Sequence, residues 1–123
     1  MFRLLLIIGS GSFIGGIARF LISRYVQSQA LSTFPYGTFL VNVAGCFLIG
    51  IFYGLSERGN LMNAELRMFL TVGFCGGFTT FSTFALENVN LMQKGQSVMA
   101  FVYMGASIIV GLLLCRVGIW LAG

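Results

Sequence analysis

Apolar residues fill four long stretches of the sequence, and short polar stretches separate them. The stretches cover about residues 4–26, 37–56, 67–92 and 97–121, and each is close to the roughly 20 apolar residues that a membrane-spanning helix needs. The second stretch contains TFLVNVAGCFLIGIFYGL, which lacks the alternation of a barrel strand. The pattern therefore predicts an all-α membrane protein in which residues 1–123 form one domain of four transmembrane helices.

The composition supports a membrane location and argues against an enzyme. Hydrophobic residues make up 58% of the chain and charged residues only 8%, whereas a soluble domain has about 25% charged residues. The sequence has no His and no Asp, and its glutamates are Glu57, Glu65 and Glu87. Because these residues supply neither a catalytic triad nor paired carboxylates on one helix face, we expect no enzyme activity. We also expect no organic cofactor and no nucleic-acid partner.

The basic residues are almost evenly divided between the two ends of the predicted bundle. Four spans place both termini on one side, and the two sides would then hold Arg3, Arg58, Arg67 and Arg116 on one, and Arg19, Arg24 and Lys94 on the other. An excess of basic residues normally sets the orientation of a membrane protein. Their balance here predicts a dual-topology protein that forms an antiparallel homodimer. The alternative is a weak single orientation in which one arginine is buried and does not count.

Glycine pairs predict close contacts between helices. Gly11 and Gly15 form one GxxxG pair, and Gly50 and Gly54 form another. Small residues at this spacing allow two helix backbones to approach. We expect these pairs to pack helices together, either within the chain or across a dimer.

Polar residues recur at a spacing of four inside three of the predicted spans. Polar side chains at membrane depth are costly, so they mark candidate functional sites. The pairs are Thr38 with Asn42, Thr83 with Glu87, and Tyr103 with Ser107. An interhelical hydrogen bond explains each pair taken alone, whereas the whole set predicts a polar path for a small solute.

The segment GFCGGFTTFSTF, residues 73–84, predicts a third helix that is broken in the middle of the membrane. Each glycine lowers helix stability by roughly 1 kcal/mol relative to Ala. The hydroxyls of Thr79, Thr80, Ser82 and Thr83 can bond to backbone groups that a break would free. Unwound carbonyls can hold a cation such as Na⁺, and the following half-helix can present its N-terminus to an anion. The alternative is a flexible glycine-rich packing site.

Phenylalanines recur every third residue through the same segment. Phe78, Phe81 and Phe84 are predicted by this spacing to share one side of a helix. An aromatic stripe usually serves packing, but the edge of a phenyl ring is electropositive and can contact an anion without trapping it. A small, strongly hydrated anion would also need hydroxyl and amide donors to replace its water.

Three motifs resemble those of the CrcB/Fluc fluoride channels. GFCGGFTTFSTF followed by Glu87 resembles the third-span signature of that family, YGTFLVNVAG at residues 36–45 resembles the second-span motif, and GGIARF at residues 15–20 resembles the first-span motif. The resemblance covers essentially the whole chain. It implies a dual-topology homodimer with two antiparallel pores in the cell (inner) membrane, which passively exports fluoride and protects the cell from it.

The resemblance also implies roles for individual residues. A structural Na⁺ at the dimer centre would be held by the backbone carbonyls of Gly76 and Thr79 from both subunits. The residues of the fluoride pore would be Asn42, Phe81, Ser82, Thr83 and Phe84. The polar route or vestibule would include Arg19, Thr38, Glu87, Tyr103 and Ser107.

Two other classes of membrane protein stay open on the residues alone. A coupled transporter of the small-multidrug-resistance type has four spans and dual topology, but its essential carboxylate lies in the first span. The first span of this chain has none, and its only deep carboxylate is Glu87. A non-transporting accessory subunit would explain the glycines as packing, but not the clustered hydroxyls and phenylalanines.

Overall fold

The protein is all-helical in the residues that its computed structural model describes, which are 1–30, 33–59 and 62–123. Its elements in chain order are α1 Phe2–Gln29, α2 Tyr36–Glu57, α3 Ala64–Met68, a π-helical segment Phe69–Cys75, α4 Gly76–Phe78, α5 Phe81–Gln93 and α6 Ser97–Ala122. Among the described residues, four helical stretches are long and apolar enough to cross a membrane: Phe2–Gln29, Tyr36–Glu57, Ala64–Gln93 and Ser97–Ala122. The prediction of an all-α protein with four such helices is confirmed, and the bounds differ from the predicted ones by at most three residues at each end.

Helices α2 and α6 pack with their backbones in close contact. A Cβ atom on Gly50 would overlap the carbonyl oxygen of Cys115, and one on Gly54 would lie 2.9 Å from the carbonyl oxygen of Ile119. From the other side, a Cβ on Gly118 would lie 2.5 Å from the carbonyl oxygen of Phe47. The second GxxxG pair therefore packs two helices of the same chain.

Helix α1 packs in the same way against the third span, Ala64–Gln93. A Cβ on Gly11 would lie 2.7 Å from the carbonyl oxygen of Phe69, and one on Gly15 would overlap that of Phe74. The glycines of the third span take part as well, because a Cβ on Gly77 would lie 2.5 Å from the carbonyl oxygen of Ser12. The first GxxxG pair therefore also acts within the chain and holds α1 against the π-helical segment and α4.

Two residues of the third span have extended backbone. Helix α4 ends at Phe78, and Thr79 and Thr80 follow with φ/ψ values of −94°/159° and −149°/120°. Thr80 then caps the N-terminus of α5, since its side chain accepts a hydrogen bond from the backbone N–H of Thr83. Thr79 and Thr80 thus lie between α4 and α5, whereas the glycines before them are helical.

The two ends of the bundle are held by different polar contacts. At the end with both termini, Arg3 forms a bidentate ion pair with Glu65, and Arg58 donates to the carbonyl of Ala122. At the opposite end, Gln27 bonds to the backbone of Phe34 and Gly37, just before and within the first turn of α2. That end also contains the α5–α6 turn, where Gly95 has a φ of +77° that other residues rarely adopt.

Candidate anion path and cation site

Three of the predicted polar residues meet in one hydrogen-bonded cluster. The hydroxyl of Thr38 donates to Oε2 of Glu87 at 2.7 Å, and the hydroxyl of Tyr103 donates to Oε1 at 2.8 Å. Thr38 is buried, and Tyr103 is fully buried. The cluster brings together one residue each from α2, α5 and α6, so the structure places a carboxylate with both oxygens hydrogen-bonded inside an apolar bundle.

Asn42 bonds to the backbone of the extended segment through both ends of its amide. The Oδ1 atom accepts from the N–H of Thr80 at 2.8 Å, and Nδ2 donates to the carbonyl of Thr80 at 3.1 Å. In a continuous α-helix the Thr80 N–H would instead donate to the carbonyl of Gly76. The side chain of Asn42 therefore takes the place of one helix hydrogen bond and leaves the Gly76 carbonyl without it.

A second side chain makes a similar substitution. The N–H of Thr83, which would donate to the carbonyl of Thr79 in a continuous helix, donates to Oγ1 of Thr80 at 3.3 Å. The backbone carbonyls of Gly76 and Thr79 thus both lose their helical donors at this point. They are also the carbonyls for which the family resemblance implies a role as cation ligands.

Arg19 lies beside the interruption, where its Nε donates to the carbonyl of Gly77 at 3.1 Å. In a continuous helix this carbonyl would accept from the N–H of Phe81. Arg19 therefore supports the C-terminal end of α4, and it lies part-buried within the span. The sequence motif pointed to this residue but not to this contact.

The phenylalanines do not share one side, so that prediction was wrong. Phe78 is 4% exposed and stacks on Phe74 with ring centroids 5.5 Å apart, whereas Phe81 is 78% exposed. The reason is the extended backbone of Thr79 and Thr80, which breaks the helical periodicity between them. Phe81 and Phe84 lie on the same piece, 5.7 Å apart, and Phe84 packs against Tyr103 at 5.0 Å.

A groove of about 430 Å³ joins many of these groups. Its walls include six residues predicted for the cation site, pore and route, which are Asn42, Gly76, Thr79, Phe81, Phe84 and Ser107. The Oγ atom of Ser107 is buried and has no hydrogen-bond partner among the described residues. Ser82 is exposed and Thr83 half-buried, and neither is among the residues that line this groove.

Sequence reasoning missed two kinds of residue at the groove. Gly45 is buried, and a Cβ there would overlap the methyl group of Thr79, so only glycine lets α2 approach the extended segment. Its position three residues after Asn42, on the same helix face, was a usable signal. The thiols of Cys46 and Cys75 also line the groove, and no spacing pattern indicated them.

Comparison with known proteins identifies the family of the chain. The family described as CrcB-like protein, Camphor Resistance (CrcB), matches residues 6–119. The chain belongs to the CrcB-like family. Similar proteins from Flavobacterium psychrophilum, Phocaeicola vulgatus and Bacteroides fragilis are each named fluoride-specific ion channel FluC.

These relatives resemble the chain along nearly its whole length. The Flavobacterium protein is 41% identical over 115 residues, which is 94% of this chain and 93% of the relative. The Phocaeicola protein is 42% identical over 97% of this chain and 96% of its own length, and the Bacteroides protein is 49% identical over 88% and 87%. With four apolar helices of membrane-spanning length, this CrcB-like chain is a multi-pass membrane protein.

We predict that Asn42→Leu destabilises the protein. Leu has the same number of side-chain heavy atoms and the same branch point as Asn but no polar atoms, so the N–H and carbonyl of Thr80 would both lose their partner inside the bundle. Each unpaired buried group costs about 1–3 kcal/mol. Thermal unfolding in detergent and hydrogen exchange at Thr80 should show a lower melting temperature and faster exchange at that amide.

Asn90→Leu is the matched control, since the exposed Asn90 side chain makes no hydrogen bond to any described residue. The same substitution there should change the melting temperature much less. Equal melting temperatures for the two variants would show that the bonds from Asn42 to Thr80 contribute nothing measurable.

Proposed function

We propose that this CrcB-like protein is a fluoride-specific ion channel that passively exports fluoride across the cell (inner) membrane and relieves fluoride toxicity. The observation that carries this proposal is the 41–49% identity to proteins named fluoride-specific ion channel FluC, over 88–97% of the chain. Those relatives are named for a channel, which agrees with the expectation that the chain is not an enzyme. The groove supports the proposal through the chemistry of its lining.

Neutral donors in the groove suit a small anion that must lose its water. Nδ2 of Asn42 carries two protons and uses one for the Thr80 carbonyl, so the second is available to an anion. The hydroxyl of Ser107 is buried without a partner among the described residues, and it lines the same groove. Ser82 and Thr83 are further hydroxyl residues at the start of α5, outside the lining of this groove. These groups replace hydration without supplying a charge that would hold the anion in place.

The rings of Phe81 and Phe84 contribute a second type of contact. Both line the groove, and their centroids are 5.7 Å apart. An anion passing at the ring edges would meet the positive part of the aromatic quadrupole. From there the route continues past Thr38, Glu87 and Tyr103, whose cluster is reached through the contact between Phe84 and Tyr103.

The carbonyls of Gly76 and Thr79 are proposed to hold a structural Na⁺ together with the same carbonyls of a second subunit. The residues fit such an ion, because both carbonyls lose their helical donors at the extended segment and neutral carbonyls are suitable Na⁺ ligands. Gly76 is exposed, and nothing lies within 4 Å of the position of its missing Cβ. When bound, the ion would supply positive charge to four carbonyl oxygens, two from each subunit. The extended backbone of Thr79 and Thr80 deprives these carbonyls of their helical donors.

An antiparallel homodimer would cover the exposed side of this site. In the dimer we propose, the interruption at Thr79 and Thr80 lies in the middle of the membrane, where the second subunit shields it from lipid. The part-buried Arg19 weakens the argument from charge balance, because removing it from the loop residues leaves four basic residues against two. The difference is still small, and we retain dual topology as part of the proposal.

The rival assignment is a coupled transporter of the small-multidrug-resistance type. Its proton-linked carboxylate would have to be Glu87, since the other glutamates lie at or beyond the ends of the spans. Glu87 is held by two hydroxyls, next to the groove. The relatives named as channels favour the channel over this alternative.

Purified protein in liposomes is expected to conduct fluoride. With a fluoride gradient and a potassium ionophore to carry the compensating charge, fluoride should leave the vesicles rapidly, and chloride should not replace it. A fluoride electrode measures the efflux, and empty liposomes provide the background. Efflux that needs a proton gradient would support the coupled transporter, whereas no efflux from correctly folded protein would support an accessory subunit.

Substitutions of the two groove phenylalanines are expected to reduce fluoride current. Phe81→Ile and Phe84→Ile retain an apolar side chain but remove the electropositive ring edge, so we expect a reduction of about ten-fold or more in bilayer recordings. Phe101→Ile is the control, because Phe101 is exposed and lies away from the groove. Unchanged current in both groove variants, with the protein still assembled, would exclude a role for the ring edges.

The proposed assembly predicts a tag on both faces of the membrane and a dimer that depends on Na⁺. A cysteine added after Gly123 should react with an impermeant maleimide from both sides, since each orientation is present.

Replacing Na⁺ by N-methyl-D-glucamine during purification should lower the melting temperature of the dimer, because the carbonyls lose their ion. Labelling from one side only contradicts dual topology, and equal stability after complete removal of Na⁺, measured by elemental analysis, contradicts the structural ion.

A further inference from the structure

A second pocket lies at the membrane end opposite the two termini. It has a volume of about 220 Å³, and its polar lining consists of Gln27, Thr33, Glu87, Asn90, Lys94 and Gln96. Gln27 and Gln96 tie the surrounding loops together, through bonds to Phe34, Gly37 and Thr33. The pocket is therefore a built feature of this end of the bundle, formed by α1, the α1–α2 loop, α5 and the start of α6.

Glu87 connects this pocket with the buried polar cluster. Its two carboxylate oxygens accept from Thr38 and Tyr103 on the inner side, and the same residue lines the pocket on the outer side. Asn90 follows Glu87 at a spacing of three on one face of α5, and Lys94 is the residue that directly follows the helix and lines the same pocket. Thr83 and Glu87, four residues apart on α5, lie on the same side of this helix as Asn90.

The two charged residues of the pocket act on an approaching anion in opposite directions: Glu87 repels it and Lys94 attracts it. Glu87 and Lys94 are its only charged lining residues among those described, and the only ion pair in the described part of the chain joins Arg3 and Glu65. The Lys94 ammonium group is thus exposed and has no carboxylate partner there. The first turn of α6 lacks a side-chain cap, so its N–H groups add positive potential at Gln96, and the carbonyls at the C-terminus of α5 beside Lys94 partly offset it.

We propose that this pocket is the mouth of the route and a weak collecting site for small hydrated anions, with Lys94 as its attracting charge. Lys94 offsets the repulsion that the Glu87 carboxylate exerts on an anion entering or leaving. The amides of Asn90 and Gln96 and the hydroxyl of Thr33 offer neutral contacts along the way. This inference rests on the proposed fluoride channel and adds the place where the anion meets bulk water.

The size of the effect follows from the screening of one surface charge. A unit positive charge in water raises the concentration of a monovalent anion about two-fold at a distance of roughly 8 Å from the charge. The Debye length is about 30 Å at 0.01 M salt and about 3 Å at 1 M, so the attraction is present at low ionic strength and lost at high ionic strength.

Single-channel recordings in planar bilayers test this mouth. At fixed fluoride concentration, with ionic strength set by a salt of a bulky inert anion, Lys94→Gln should reduce fluoride conductance about two-fold at about 0.01 M and leave it unchanged at about 1 M. Lys94→Glu should reduce the low-salt conductance by about four-fold, and Lys94→Arg should restore it. Arg24→Gln is the matched control, since it removes the same charge at the same end but from outside the pocket.

The outcomes separate this inference from the proposed function. Normal low-salt conductance in Lys94→Gln and Lys94→Glu would overturn the mouth while leaving the fluoride channel intact. An equal loss in Arg24→Gln would also overturn it, because the effect would then come from net charge and not from this pocket. Absence of fluoride current in the unaltered protein would contradict the proposed channel itself, and the mouth with it.

Discussion

The structure depends on the requirement that backbone polar groups inside a membrane be paired within the protein. Helices meet this requirement by themselves, but the extended residues Thr79 and Thr80 do not. Their neighbourhood is satisfied by side chains from other helices, since Asn42 bonds to both backbone groups of Thr80 and Arg19 bonds to the carbonyl of Gly77. The extended segment of the third span therefore depends on α1 and α2, which supply the side chains that pair with backbone groups in and beside it.

Close packing of the helices is what allows these short polar contacts to form. The glycines of α1 and of the third span let the two backbones touch, which brings Arg19 within reach of Gly77. Gly45 does the same for α2, because a larger residue there would overlap Thr79 and push Asn42 away from Thr80. The polar contacts of Arg19 and Asn42 thus depend on the glycines, because only small residues let the helices approach closely enough for these hydrogen bonds to form.

The sequence was sufficient for the parts that depend on local patterns. Apolar length predicted four helices, the GxxxG pairs predicted close packing, and the spacing of Thr38 and Asn42 predicted a shared polar face. The prediction that Phe78 and Phe81 share one side was wrong, because the two extended residues between them change the direction in which the side chains point. The partner of Arg19 was also beyond reach, since a contact between residues 58 positions apart depends on the packing of whole helices.

A conducting path must bind an anion strongly enough to replace its water and weakly enough to release it. The distribution of charge along this chain suits that balance. The residues that line the groove around Asn42, Phe81 and Ser107 are all uncharged, while the fixed charges of Arg19, Glu87 and Lys94 lie outside its lining. Because Glu87 already accepts hydrogen bonds from two hydroxyl groups, its negative charge is partly compensated where the proposed route passes it. In the proposed channel, attraction by Lys94 at the surface and weak neutral contacts inside would therefore act in sequence on the same ion.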